Sequence, residues 1–419
     1  MEGNAGEGAT LSKDRSEAEQ QIADLLHTAR KSLRLSVAFL SRLDGTTQHL
    51  EVVDSSLPFL FKEGYQQKQE VTLCQVILDG KLPQVIPNLK DFPEAMKLPA
   101  ARMPRLRSYV SVPVTLSDGS LYGTFCAAGL TSDKDLTKRD RALMDVLASA
   151  AAVIIEPEVR SQERRTEISD RLDPVIEAGG PVVVLQPIVD LATGKRVGAE
   201  ALSRFPAEWG MAPDVCFEQA HSVGLGHQLE LLALEAAAVH LDAVGGYVAM
   251  NVSPATLLTP DFSELMARLP LDRVLLELSE HNQVEDYAAL IATLAPFRAA
   301  GLRLAIDDVG AGFSSLRHIV VTSPDVIKID RSIVAGLDTD PVLTKLVQSL
   351  VEFGHGCDVR VVAEGIETAD EATVLRALGV DYGQGWHYGR PGPPEALAEI
   401  AGAVAIPEPH RTRSEALAP

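Results

Sequence analysis

The stretch LRLAIDDVGAGFSSLR, Leu302 to Arg317, alternates apolar Leu302, Leu304 and Ile306 with Arg303 and Ala305, then sets Asp307 beside Asp308, then glycines. An apolar run bounded by glycine predicts a buried strand. Two carboxylates about 4 Å apart repel by roughly 4 kcal/mol at an effective dielectric of 20, so a chain that keeps them needs positive charge nearby. A divalent metal supplies it. For the dipeptide alone the simpler reading is an Asp-Asp turn capping the next helix, and the surrounding chain decides between the two.

Working outward, the chain from about Val182 alternates strand and helix. The candidate strands are 182–188, 196–203, 247–252, 274–279, 302–307, 326–330, 359–364 and 382–389. That number and rhythm, over roughly 230 residues, predict a TIM-type (β/α)8 barrel of the α/β class. In such barrels chemistry gathers at the C-terminal strand ends. Those ends carry Glu200, Asn251, Glu277, Asp307 with Asp308, Lys328, Glu364 and Gln384. Acids repeatedly ending apolar strands such as VLLELSE and VRVVAEG are hard to explain structurally. Oxygen ligands suit Mg²⁺ or Mn²⁺, and no His-Cys set points to zinc.

Toward the N-terminus, residues 1–17 are small and polar and predict a disordered tail. Helical spacing over 17–33 leads into strand-like segments 35–44, 49–55, 71–80, 82–89, 108–120 and 121–130. Asp118-Gly119 marks a hairpin between the last two. Residues 139–155 return to helical spacing, Pro157 predicts a stop or kink, and the charged segment 158–172 predicts a connecting helix, either a transmitter or a solvated spacer. The first half is therefore an α+β domain.

The net charge of −20 argues against a nucleic-acid surface. The four cysteines have no CxxC spacing, which predicts reduced thiols. No run reaches the ~20 apolar residues of a membrane span, and no apolar signal core opens the sequence. A cytoplasmic protein without membrane contact is expected.

The C-terminal half resembles the EAL-domain cyclic di-GMP phosphodiesterases over 173–405. The motifs are QPIVDLATGKRVGAEALSRF (186–205), NVSP (251–254), ELSE (277–280), DDVGAGFSSL (307–316), KID (328–330), AEGIET (363–368) and QGWHYGRP (384–391), in the family's order. Only the EAL at Glu200 has this context; the copies at 395–397 and 415–417 lack it. The resemblance implies a cyclic-guanylate-specific phosphodiesterase that hydrolyses cyclic di-GMP to linear pGpG with two Mg²⁺ or Mn²⁺ ions. Glu200, Asn251, Glu277 and Asp307 are implied to hold the first ion, and Asp308 and Glu364, bridged by Asp307, the second. Lys328 is implied to orient water or to stabilise phosphate charge, although neutralising the acids fits the same place. Glu367 and Gln384 are implied to support the site. Gln186, Leu202, Arg204, Gln384 and Arg390 are implied to bind substrate, and Glu280 to anchor loop 309–315, which in the family reaches a dimer interface. The departures are Val309 for phenylalanine, Ser279 in ELSE, Phe205 after Arg204, and Trp386 with His387 in the last motif; none removes a ligand.

Residues 18–157 resemble a GAF domain, through the SVPV-turn-YGTFCAAG hairpin and the flanking helices. That implies a sensor or dimerisation module of unknown ligand, hence a regulated homodimer. In such a fold a lone cysteine or histidine packs or faces solvent far more often than it holds a chromophore or haem, so no cofactor is assigned to Cys74, Cys126, His27 or His49. The rival readings are a catalytically weak EAL domain acting as a cyclic di-GMP receptor, and a GAF half served by a barrel scaffold. The expected order is tail 1–17, sensor 18–157, connecting helix 158–172, EAL domain 173–405 and tail 406–419.

Overall fold

The structure, a computed structural model, describes residues 15–56, 61–99, 106–279, 284, 286–310 and 315–399. The chain divides into two compact units, 1–164 and 165–419. Loop anchor Glu280 and most of the loop 309–315 lie outside the described residues.

In the first unit, β1 (Val37–Leu43), β2 (Thr47–Ser55), β3 (Gln66–Lys68), β4 (Val85–Ile86), β5 (Ser108–Thr115) and β6 (Leu121–Gly129) form one antiparallel sheet ordered β3-β2-β1-β6-β5-β4. Alternation along β1 separates two cores. Ala38 and Leu40 pack with Leu26 and Ala29 of the helix Glu17–Ser32 and with Met144 and Ala151. Val37 and Phe39 pack on the other face with Leu73 and Ile77.

Two expectations for this unit fail. The segment 71–80, read as a strand, contains the helix Leu73–Leu78. Thr72 caps it by accepting from the Gln75 N–H at 3.2 Å, and Leu73, Cys74 and Ile77 fall on one buried side. That spacing and the cap outweigh the β propensity of Val71, Val76 and Ile77. Nor does Pro157 end its helix, which runs Lys138–Glu177 in one piece. A proline frees the carbonyl four residues earlier; here that is Val153, 72% exposed, where water can serve it.

In the second unit, β7 (Val182–Asp190), β8 (Arg196–Arg204), β9 (Tyr247–Asn251), β10 (Val274–Ser279), β11 (Arg303–Val309), β12 (Val326–Ile329), β13 (Arg360–Ala363) and β14 (Tyr382–Gln384) close into a barrel. Unlike the usual all-parallel barrel, β7 runs antiparallel to both neighbours, β8 and β14. The cause is local. The connection 191–195 is too short for a crossover, and Asp190 closes it as a turn by accepting from the Thr193 N–H at 2.7 Å.

A cluster of Ile188, Ala249, Leu275, Ala305, Val326, Val362 and Tyr382, with Val197 and Tyr247, packs across the barrel strands. With side chains alternating along a strand, the residue two positions on faces the same way. Those positions are Asn251, Glu277, Asp307, Lys328, Glu364 and Gln384. On the reversed β7 the equivalent of Ile188 is Gln186, two positions earlier. The apolar layer is thus the floor of the polar site.

Candidate metal centre

Lys328, 1% exposed, stands at the middle. Its Nζ lies 2.6 Å from Glu364 Oε1, 2.9 Å from Glu277 Oε1, 3.2 Å from Asp307 Oδ1 and 3.5 Å from Glu200 Oε2. One ammonium therefore faces four carboxylates. Burial alone would discharge Lys328, but Asp307, Glu200, Glu277 and Glu364 outweigh it and hold its pKa well above the usual lysine value. Burial pushes Glu277 well above the carboxylate range; Lys328 opposes this, and the other acids add to it. Burial likewise raises Glu364 to about 8, against Lys328 and with Asp307 and Glu200. For Glu200, burial is overcome by Lys328 and by hydrogen bonds from Gln384 and Asn251, and its pKa is lowered.

The adjacent aspartates reach one rim through a bulge. Ile306 pairs with Ile327 and Val309 with Ile329, so Asp307 and Asp308 together oppose Lys328. Asp308 adopts φ +60°, the left-handed conformation that aspartate tolerates better than most residues. The Asp308 N–H donates to Asp307 Oδ1 at 3.0 Å, and Ser279 Oγ to Asp308 Oδ2 at 3.4 Å.

Two sets of acids fit a cation. Ligand oxygens of Glu200, Glu277 and Asp307 lie within 4.8 Å of one another, and so do those of Asp307, Asp308 and Glu364. Glu277 Oε1, fully buried, accepts no hydrogen bond of normal geometry and faces Lys328 through charge alone. The all-oxygen donor set and this orphaned oxygen fit hard divalent ions. Asn251 turns its amide nitrogen to Glu200 Oε1 (3.1 Å) and Glu277 Oε2 (3.4 Å), so it joins the first set only after an amide flip.

The remaining expected residues fall around this cluster. Gln384 Nε2 donates to Glu200 Oε2 (2.6 Å) and Gln186 Oε1 (2.9 Å), and Gln186 Nε2 to the Gly389 carbonyl (3.1 Å). A cavity of about 930 Å³ is lined by Arg204, Asn251, Ser279 and Asp308. A second, of about 280 Å³, is lined by Gln186, Glu200, Asp307, Glu364 and Trp386. Leu202 lines both. Glu367 lines the smaller cavity along with Glu200, Asp307 and Glu364, with Arg331 Nη2 2.6 Å from its Oε1. Arg390 lies over the Trp386 ring, 4.3 Å from its centroid.

Sequence reasoning missed Arg331, although it directly follows KID. It also missed Glu230, which accepts from the Ser253 N–H at 2.9 Å beside Asn251 and pairs with His221 Nε2 at 2.5 Å. No motif marks either partner of that pair.

A closed barrel with paired acid sets at one rim defines a protein of the (β/α)8 class with a candidate metal centre. The EAL domain model matches residues 169–391, over half of the chain, and the chain belongs to that family. A GAF domain model matches residues 16–156. The probable cyclic di-GMP phosphodiesterase PdeB of Escherichia coli K12 is 32% identical over 241 residues, 54% of this chain and 45% of that protein. An uncharacterized protein of Mycobacterium tuberculosis H37Rv is 30% identical over 315 residues, 70% of this chain and 50% of that protein. The chain spans half or less of the length of these curated relatives. The EAL enzyme Bd1971, in its cAMP- and cyclic di-GMP-bound form, aligns over 87% of this chain and 93% of its own, with a TM-score of 0.52 and 20% identity, a likeness of fold.

Proposed function

We propose that the barrel hydrolyses one phosphodiester bond of cyclic di-GMP, giving linear pGpG, with two divalent ions, Mg²⁺ or Mn²⁺. The observation that carries this reading is Asp307, shared between two acid sets. The name of the Escherichia coli relative supports the substrate. Glu200, Glu277, Asp307 and the flipped Asn251 would hold one ion, and Asp307, Asp308 and Glu364 the other. When bound, such ions supply charge neutralisation for the phosphate and acidity for the attacking water. Lys328, whose ammonium faces acids of both sets, would hold a positive charge toward the developing phosphate charge. Gln384 and Gln186 fix the Glu200 carboxylate in its rotamer. Arg204 in the larger cavity, and Arg390 stacked over Trp386, whose ring lines the smaller, would offer guanidinium groups to the nucleotide.

Incubating purified protein with cyclic di-GMP and Mg²⁺ or Mn²⁺, followed by chromatography, tests this directly: pGpG must appear only with metal. Saturable binding with no product would make the chain a cyclic di-GMP receptor instead.

The GAF unit is read as the regulator of a cytoplasmic homodimer. Among the described residues no helix is long and apolar enough to cross a membrane. Val342 and Leu346, exposed one turn apart on the helix Pro341–Gly356, offer an apolar strip for self-association. Regulation requires unequal ligand binding to two states. Removing residues 1–157 should therefore change specific activity several-fold, and equal rates at matched oligomeric state would leave the two units merely tethered.

A further inference from the structure

The sheet face beneath the helix Leu73–Leu78 buries polar groups where the opposite face has hydrocarbon. Ser41, Gln48, Cys74, Ser111, Thr124 and Cys126 are all 0–1% exposed. Cys74 and Cys126, 52 residues apart in the chain, bring their sulfurs to 3.4 Å. The surrounding hydrogen bonds treat the two differently. Gln67 donates to Gln48 Oε1 at 2.8 Å, which turns the Gln48 amide nitrogen inward, where it donates to Cys74 Sγ at 3.0 Å and Ser41 Oγ at 2.9 Å. The Tyr109 hydroxyl lies 3.0 Å from Cys74 Sγ. Burial holds Tyr109 protonated, its pKa well above 10, so it serves as a second donor. Besides Cys74, Cys126 Sγ meets the hydroxyls of Ser111 at 3.2 Å and Thr124 at 3.3 Å, which accept as readily as they donate.

One sulfur thus sits among donors, as a thiolate requires, and the other keeps its proton. The Cys126 hydrogen bond, against burial and aided by Thr124, Tyr109 and Gln48, lowers Cys74 to about 6. Burial, and then the Cys74 neighbour, pushes Cys126 well up. A thiolate beside a protonated resolving thiol has the chemistry of a dithiol that a peroxide oxidises, and with Cys74 1% exposed the oxidant reaches it when the short helix Leu73–Leu78 opens locally.

We propose that Cys74 and Cys126 form a reversible, peroxide-oxidised dithiol in the GAF unit, Cys74 attacking and Cys126 resolving. The Cys74 thiolate displaces hydroxide from hydrogen peroxide, giving the Cys74 sulfenic acid. The Cys126 sulfur then attacks the Cys74 sulfur, and the sulfenic oxygen leaves as water with the Cys126 proton. The net change is two thiols and one peroxide to one disulfide and two waters. The new bond ties the helix Leu73–Leu78 to β6.

The test uses full-length protein treated with graded hydrogen peroxide, quenched in acid, denatured, blocked with N-ethylmaleimide and digested for mass spectrometry. The expected result is a linked Cys74–Cys126 peptide two hydrogens lighter than the reduced pair, abolished by dithiothreitol, while Cys216, buried in the other unit, keeps its label. If Cys74 and Cys126 both stay maleimide-labelled at doses that oxidise the less buried Cys357, the proposal fails. In Cys126→Ser the intermediate loses its resolving partner, so dimedone should trap a Cys74 adduct. A folded variant that gives no adduct overturns Cys74 as the attacking sulfur.

Discussion

Lys328 Nζ and Glu277 Oε1 face each other at 2.9 Å, the lysine 1% and the glutamate 0% exposed, and this carboxylate oxygen accepts no hydrogen bond of normal geometry. A pair held this way depends on everything else that carries charge nearby. In Lys328→Met four carboxylates lose the ammonium they face. Removing one partner of a buried ion pair costs about 3–5 kcal/mol, so the chelated variant should melt at least about 5 °C below wild type. Divalent ions replace the missing charge, so millimolar Mn²⁺ should narrow that gap while turnover stays lost. Calorimetry with and without EDTA reads both, and a gap unchanged by Mn²⁺ would count against a cation site.

The metal-free protein should weaken as pH rises. Glu364 is raised to about 8 by burial, above the unfolded value near 4.5. Between those values the native state holds a proton that the unfolded chain has released, so stability falls with each pH step until about 8. A divalent ion competes with that proton, so its stabilisation grows over the same window. Melting temperatures from pH 6 to pH 9, with EDTA and with Mg²⁺, should diverge; parallel curves would sink the assignment.

Asp308 separates backbone from chemistry. Its φ of +60° costs a non-glycine residue roughly 1–2 kcal/mol. Asp308→Gly relieves that cost and removes the carboxylate, so it should melt at or above wild type in EDTA yet turn over poorly. Asp308→Ala keeps the strain without aspartate's local hydrogen bonding and should melt below the glycine variant. The reverse order of the two melting points would refute the bulge.

Glu200→Ala and Asp307→Ala should abolish pGpG formation while circular dichroism stays that of wild type. Asp307 belongs to both acid sets, so its loss should also weaken ion binding more than the loss of Glu200 does. Calorimetric titration with Mn²⁺ checks the ranking, and near-normal turnover in either variant would end the two-ion reading.

What the sequence made legible depended on burial from both sides. Runs such as LRLAID and VRVVAE stay apolar because the barrel floor and the outer helices cover both faces, and their terminal acids stand out against that background. Segment 71–80 deceived because Val71, Val76 and Ile77 favour strands, while the Thr72 cap that makes the helix is a contact of one hydroxyl. The reversal of β7 hides in the turn chemistry of Asp190 and Thr193. The left-handed Asp308 leaves no trace beyond the unusual dipeptide, and the approach of Cys74 to Cys126 needs the sheet register before it exists.

The seam where β7 meets β14 has a consequence for time. Glu200 accepts from Gln384, 184 residues later in the chain, and Gln384 also holds Gln186, 198 residues away. During synthesis the Glu200 carboxylate is made early and lacks this partner until β14 arrives. Contacts of such long range close late in folding. A nascent or truncated chain ending before β14 carries the acids of both sets but lacks one of the two amides that hold Glu200, so the full geometry of the acid cluster arrives with β14 and not gradually.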